Sequence, residues 1–297
     1  MKLYQHTFKA MGSQCSIQLY CETPEQYHAA SSASLAELER LEAKYSRYRP
    51  QSLLSKINEQ AGIQAVEIDA ETTQLFQYAH VAYAESDGLF DITSGVLRNI
   101  WDFNTGRIPS QQAIEETLDL IGYDRIERSA NHVFLPTKNM QIDFGGIVKE
   151  YAADCLSAIV KKMGINSGLI NLAGDIHIVG PLPDGSPWQV GISHPAQPDK
   201  SIADIPMLSG GLASSGDYQR CFDIDGVRYC HILNPETGWP VQGLAAVSVW
   251  AEQCVVAGTL ATIAMLKGEQ AGIEWLASTG VPYLAIDQRF EVHIQSD

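Results

Sequence analysis

The chain has no apolar run near the ~18 residues that a membrane-spanning helix needs, and residues 1–10 carry no apolar signal core. A helical membrane span is therefore excluded, and a cytoplasmic location is expected. Positive charge is scarce. The sequence sets 20 Lys and Arg against 35 Asp and Glu, a formal net charge of −15. That balance favours solubility and argues against nonspecific nucleic-acid binding, which needs a basic footprint. A polyanionic ligand would need a local cationic or metal-bearing pocket to overcome the global field. The six cysteines form no Cys-x-x-Cys pair, which argues against a zinc ribbon or dithiol site. They read as free thiols, including Cys221 and Cys230 at the two ends of one hairpin. Glycine has no period, and neither an internal repeat nor a low-complexity linker occurs.

What is present is core-forming material. The 297 residues are 45% hydrophobic, enough for one large core or two intimately packed lobes. Residues 3–20 alternate as two strands, or one strand broken at Met11-Gly12-Ser13. Thr23 caps a helix with Pro24 in its first turn, running to about residue 45. A short helix covers 52–59, and Asp69 caps another reaching about 86. Residues 89–93 enter a loop, and a short helix covers 111–118. Strands are expected at 125–128, 132–135 and 141–144, then a helix at 147–163. Further strands are expected at 168–178, 188–192, 203–209 and 246–249. Helices over 255–265 and 269–278 precede a terminal hairpin. Without regular βαβ units, the order predicts an α+β fold rather than a doubly wound sheet.

Two polar bends stand out. Ser214-Ser215-Gly216-Asp217-Tyr218 precedes a hairpin that turns at Asp225-Gly226. His231-Ile232-Leu233-Asn234-Pro235-Glu236-Thr237-Gly238 follows it and sets an imidazole beside an Asn-Pro-Gly turn. The hairpin brings the two bends together, so His231 and Asp217 are candidates for acid–base chemistry. Asp143-Phe144-Gly145-Gly146-Ile147-Val148-Lys149 puts an aspartate, a double glycine and a lysine at a helix start. This is either a phosphate site or a tight strand-to-helix turn with a solvated lysine. Its spacing fits neither the dinucleotide fingerprint nor the P-loop. Gly88-Leu89-Phe90-Asp91-Ile92-Thr93 either lines a pocket or caps a turn through Asp91. Tyr45-Ser46-Arg47-Tyr48-Arg49-Pro50 mixes cations with aromatics that suit stacking on a flat ring, or forms a solvated turn.

Taken in order, these segments resemble the ApbE family of FAD:protein FMN transferases. The match begins at Phe8-Lys9-Ala10-Met11-Gly12-Ser13 and continues through the segments above and Asn171-Leu172-Ala173-Gly174-Asp175 to residues 257–262. The resemblance implies a mixed α+β fold with antiparallel sheets and flanking helices, a single domain over 1–297 with FAD in a cleft between two lobes. It implies transfer of FMN from FAD to a Ser or Thr hydroxyl of an acceptor flavoprotein, with release of AMP and Mg²⁺ on the pyrophosphate. FAD contacts would include Met11, Tyr48, Phe90, Asp91, Ile92, Asp143, Lys149 and Ile232. His231 matches the histidine tied to transfer.

Three positions depart from the family pattern. The family helix carries Ala-Asp-Ala-x-Ala-Thr, whose Asp and Thr help bind metal, whereas this chain reads Ala257-Gly258-Thr259-Leu260-Ala261-Thr262. Thr262 and the Gly146 carbonyl would remain as metal ligands, and the lost carboxylate weakens a hard-cation site. On that reading, an aspartate restored at 258 is expected to strengthen metal binding and transfer. Ala173 and Glu150 stand where many relatives have glycine. Two other functions use the same site: an FAD-binding module without transfer chemistry, and an FAD pyrophosphatase giving FMN and AMP.

Overall fold

The computed structural model describes residues 1–218 and 220–296. In chain order the strands are β1 (Lys2–Ala10), β2 (Ser13–Cys21), β3 (Val66–Glu67), β4 (Glu127–Arg128), β5 (His132–Phe134), β6 (Gly168–Leu172), β7 (Asp175–Gly180), β8 (Trp188–His194), β9 (Gln197–Met207), β10 (Gly210–Gly216), β11 (Cys221–Ile224), β12 (Val227–Cys230), β13 (Leu244–Ala251), β14 (Tyr283–Asp287) and β15 (Val292–Gln295). The helices are α1 (Pro24–Tyr45), α2 (Leu53–Glu59), α3 (Ala70–Glu85), α4 (Gln111–Leu118), α5 (Val148–Lys162), α6 (Cys254–Lys267) and α7 (Glu269–Thr279).

Eight strands form one sheet in the order β1-β2-β6-β7-β10-β13-β14-β15, and every neighbouring pair in it is antiparallel. The α+β expectation with antiparallel sheets and flanking helices is therefore what the chain adopts. On one face the sheet packs against α5 and α6. On the other, Leu169, Ile178, Leu212 and Ile286 pack against Val190, Ile192 and Ile205 of the β8–β9 hairpin. Strand β2 buries Cys15, Ile17, Leu19 and Cys21 at alternate positions, as a period of two requires. All six cysteines are free. Among the described residues no helix is long and apolar enough to cross a membrane.

Local chemistry sets the boundaries. The side chains of Thr23, Ser52 and Asp69 accept hydrogen bonds from the backbone N–H groups of Gln26, Ser55 and Thr72, which ties off otherwise unpaired donors at three helix starts. Met11-Gly12 and Asp225-Gly226 each place two successive residues at positive φ, the signature of a tight hairpin turn that follows strand twist. Ala173-Gly174 does the same between β6 and β7, with φ of 59° at Ala173. A Cβ in that region costs ~1–2 kcal/mol. Ala173→Gly is expected to raise stability by about 1 kcal/mol, less the added chain entropy of glycine. Urea denaturation midpoints of the two proteins check this.

The structure corrects three expectations. Residues 141–144 form no strand. The Ile142 N–H donates to Asn58 Oδ1 and the Ile142 carbonyl accepts from Asn58 Nδ2, while the Asp143 N–H donates to the Ile92 carbonyl. One side chain and a neighbouring loop thus satisfy backbone groups that a sheet would have paired. Conversely, Ser214 to Gly216, expected as a bend, ends the central strand β10. A 3₁₀ helix over Ile92–Asn99 also replaces the expected loop. The hairpin over 219–229 is β11–β12 as far as described, with Gln219 outside the described residues.

A side-chain cap locks α5 to α6. Asp154 of α5 accepts hydrogen bonds from the backbone N–H groups of Cys254 and Val255 at the start of α6, at 2.8 and 3.0 Å. Its Oδ1 also lies 2.6 Å from His177 Nδ1 on β7. One turn before Asp154 lies Glu150, and one turn after Cys254 lies Gly258.

Candidate active site

Two adjoining cavities of about 190 and 560 Å³ open beside the start of α5. Arg98, Asp143, Gly145, Lys149 and His231 line both. The larger alone falls in the usual range for small-molecule sites.

The segment after β12 positions His231. Its N–H donates to the Arg220 carbonyl at 3.0 Å, and the Ile232 carbonyl accepts from Val241 at 2.9 Å. Asn234 Oδ1 gathers the N–H groups of Glu236 and Thr237 at 2.8 and 3.1 Å, the Asx turn that Asn-Pro-Glu-Thr-Gly encodes. Gly238 has φ of +73°, and its carbonyl accepts the Trp101 indole N–H at 2.8 Å. Leu97, Trp101, Ile114 and Leu233 bury one another beneath this loop. The imidazole Nδ1 is buried with no hydrogen-bond partner among the described residues. Burial first, then the nearby Arg98 and Arg220, lowers its pKa to about 4. The ring is therefore neutral near pH 7.

Asp143 and Lys149 flank an open helix start. No side chain caps the N-terminus of α5, so its backbone donors suit an anion. Asp143 Oδ2 lies 3.1 Å from Arg47 and 3.6 Å from Arg98. Its Oδ1 accepts the Gly145 N–H at 2.8 Å. Lys149 Nζ lies 2.5 Å from Asp175 Oδ2. Burial works against the ammonium charge, but Asp175 and Glu150 outweigh it and hold its pKa above the ordinary value. With Arg49 and Arg220 also lining the larger cavity, cations concentrate here in a chain of net charge −15. This is the local cationic pocket that a polyanionic ligand requires.

The cavity walls gather most of the candidate residues. Met11 and Tyr48 line the larger cavity, and Phe90, Ile92, Ile232, Gly146 and Thr262 the smaller. Tyr48 is 78% exposed, a ring left free at the rim, with the Arg47 guanidinium 5.9 Å from its centroid. Asp91 and Asp217 stand apart. Both oxygens of Asp91 are occupied, by Thr93 N–H and hydroxyl at 2.7 and 2.6 Å and by Tyr123 N–H at 3.0 Å, so the capping alternative describes its contacts. Asp217 is buried and accepts from Gln288 Nε2 at 2.7 Å and Arg228 at 3.4 Å. Neither aspartate is among the residues lining the two cavities.

Sequence reasoning missed Arg98, the contact of Ser215 with Thr262 and the position of Glu150 in space. Arg98 is a lone cation in a 3₁₀ helix, with no motif to flag it. Ser215 Oγ lies 2.9 Å from Thr262 Oγ1 across β10 and α6, an adjacency of elements that no local pattern announces.

Comparison with known proteins shows the family and the fold. Residues 11–285 match the profile of the ApbE family. The FAD:protein FMN transferase of Vibrio cholerae serotype O1 is 28% identical over 257 residues, covering 84% of this chain and 76% of its own. That of Haemophilus influenzae is 28% identical over 266 residues, covering 85% and 75%. The crystal structure of the ApbE protein from Thermotoga maritima superposes with a TM-score of 0.92 at 30% identity, over 99% of this chain and 97% of that one. The apo Pseudomonas stutzeri flavinyl transferase ApbE gives 0.89 at 26% identity, over 99% and 95%.

Proposed function

The chain belongs to the ApbE family, and from that membership we infer that it is an FAD:protein FMN transferase. The observation that carries this reading is the neutral His231 ring, its Nδ1 buried without a hydrogen-bond partner among the described residues, in a cleft that Arg98, Lys149 and the start of α5 line together with Asp143 and Glu150. The FAD diphosphate enters the cationic cleft, with Tyr48 and Met11 beside the flavin and Phe90, Ile92 and Ile232 forming the apolar wall. Lys149, Arg98 and the α5 N-terminus stabilise charge on the phosphate oxygens.

The acceptor hydroxyl, on a Ser or Thr of a partner flavoprotein, attacks the FMN-side phosphorus. The new bond joins that phosphorus to the acceptor oxygen. The bond to the bridging oxygen breaks, and AMP leaves with that oxygen. The acceptor proton passes to His231. Asp217, held by Arg228 and Gln288, positions the loop start rather than taking this proton. Asp91 fixes the 3₁₀ helix that carries Arg98.

Mg²⁺ fits the smaller cavity. The Glu150 Oε2 atom is buried without a hydrogen-bond partner among the described residues, and Thr262 and Gly146 line the same space. Gly146 and Thr262 would hold the ion, which when bound neutralises diphosphate charge.

The test is intact-mass analysis of a protein acceptor modified by one of the related transferases, incubated with this chain, FAD and Mg²⁺. The expected result is a mass gain of FMN less water, with AMP in equal amount. Free FMN with an unmodified acceptor would select hydrolysis instead. Bound FAD with no product would select a binding module.

A further inference from the structure

The departures at 150 and 258 are one feature. A Cβ built on Gly258 would lie 2.6 Å from Glu150 Cγ and 3.1 Å from its Cδ and Oε1. The Glu150 side chain therefore fills the space that a side chain on α6 would enter. The Asp154 cap fixes this alignment by tying α5 to the first residues of α6. Gly258 and Thr262 are four residues apart on α6, so they share one face.

Glu150 is 7% exposed, and its Oε2 has no hydrogen-bond partner among the described residues. A buried carboxylate oxygen without a donor is costly and marks a place for a cation or a proton. Asp175 is the other buried carboxylate nearby, and Lys149 already balances it at 2.5 Å. Burial and the neighbouring Asp175 raise the Glu150 carboxyl pKa, so without an ion it favours a proton that a divalent cation would displace, and Thr262 lines the same smaller cavity. Hard oxygen donors with net negative charge are what Mg²⁺ and Mn²⁺ select.

We propose that Glu150 supplies the anionic ligand of a divalent-cation site completed by Thr262 and the Gly146 carbonyl, the carboxylate having moved from α6 to α5. This rests on the FMN-transfer reading for its purpose but is testable apart from it. It also reverses the expectation for Gly258→Asp. That substitution alone drives a carboxylate into the Glu150 stem and adds a third acid to a buried cluster, so it weakens the fold instead of improving the metal site.

The test is Mn²⁺ titration of the full chain, followed by the electron paramagnetic resonance signal of free Mn²⁺. Circular dichroism and FAD fluorescence quenching are recorded on the same samples. Glu150→Gln keeps shape and removes charge; it is expected to weaken Mn²⁺ binding at least ~10-fold with FAD binding retained. The double variant Glu150→Gly with Gly258→Asp returns a carboxylate from the other helix and is expected to regain affinity. Mn²⁺ binding by Glu150→Gln as tight as the parent's overturns the proposal, as does a folded double variant that stays weak. The same holds if the parent fails to bind Mn²⁺ with or without FAD. Loss of FAD binding by the parent, with Mn²⁺ binding behaving as expected, would sink the transferase reading and leave the cation site standing.

Discussion

Replacing His231 with alanine is expected to slow FMN transfer by ~100–10,000-fold, the usual contribution of a positioned general base. FAD affinity should stay nearly unchanged, because the cations that face the diphosphate are on other residues. The backbone around the ring is held by the His231 N–H to the Arg220 carbonyl and by the Val241 N–H to the Ile232 carbonyl, so removing the imidazole leaves the loop anchored. The pH dependence follows from the same surroundings. Burial and the two arginines lower the ring from its ordinary 6.5 to about 4. The acid limb of kcat/KM, which reports the free protein, is therefore expected near pH 4 and not near 6.5.

The linkage to stability has a definite sign. The unfolded chain takes up the histidine proton at a higher pH than the folded one. The stabilisation is complete above about pH 6.5 and is lost as pH falls toward about 4. His231→Ala should flatten that part of the stability profile. An acid limb at 6.5, or unchanged transfer in the alanine variant, would remove His231 from the chemistry.

Gly238→Ala is expected to cost about 2–5 kcal/mol, combining left-handed backbone strain with overpacking. A Cβ there would lie 2.5 Å from Ile114 Cγ2 in a packed cluster, at a φ of +73°. The neighbours cannot yield cheaply, since Ile114 is fully buried against Leu97 and Trp101. The urea midpoint should fall without a change in m-value. Because this loop carries His231, transfer should decline further than the unfolded fraction explains. A midpoint within about 0.5 kcal/mol of the parent, the usual range for neutral sites, would show that the Asx turn tolerates a side chain and does not fix the imidazole.

Helix starts and tight turns were legible because their causes are local. Thr23, Ser52 and Asp69 cap the helices they precede, and Asp225-Gly226 turns its hairpin. Strand β10 was not legible, although it lies at the centre of the sheet. Its residues are Gly-Gly-Leu-Ala-Ser-Ser-Gly, too small and polar to show apolar alternation. The reason is packing: a Cβ on Gly211 would meet the Cys254 backbone at 2.3 Å, so small residues let α6 lie close to the sheet. Residues 141–144 failed in the opposite direction. Their apolar pattern reads as a strand, but buried loop backbone is satisfied there by Asn58 and Ile92.

The candidate site divides along the same line. Segments with a turn or a helix start, such as those holding His231 and Lys149, announce themselves. The relation between Glu150 and Gly258 joins two helices more than a hundred positions apart. In sequence these were two separate losses of pattern; in space one side chain fills the room left by the other. Asp91 and Asp217 show the converse, since their carboxylates accept hydrogen bonds from Tyr123 and Gln288 and lie outside the residues lining both cavities.

The crystal structure of this chain soaked with FAD tests the central claim most directly. The account predicts the diphosphate against the α5 N-terminus, between Lys149 and Arg98, with the His231 ring within hydrogen-bond reach of the path to the FMN-side phosphorus. A diphosphate bound outside the two cavities, or an imidazole turned away from that phosphorus, would contradict it.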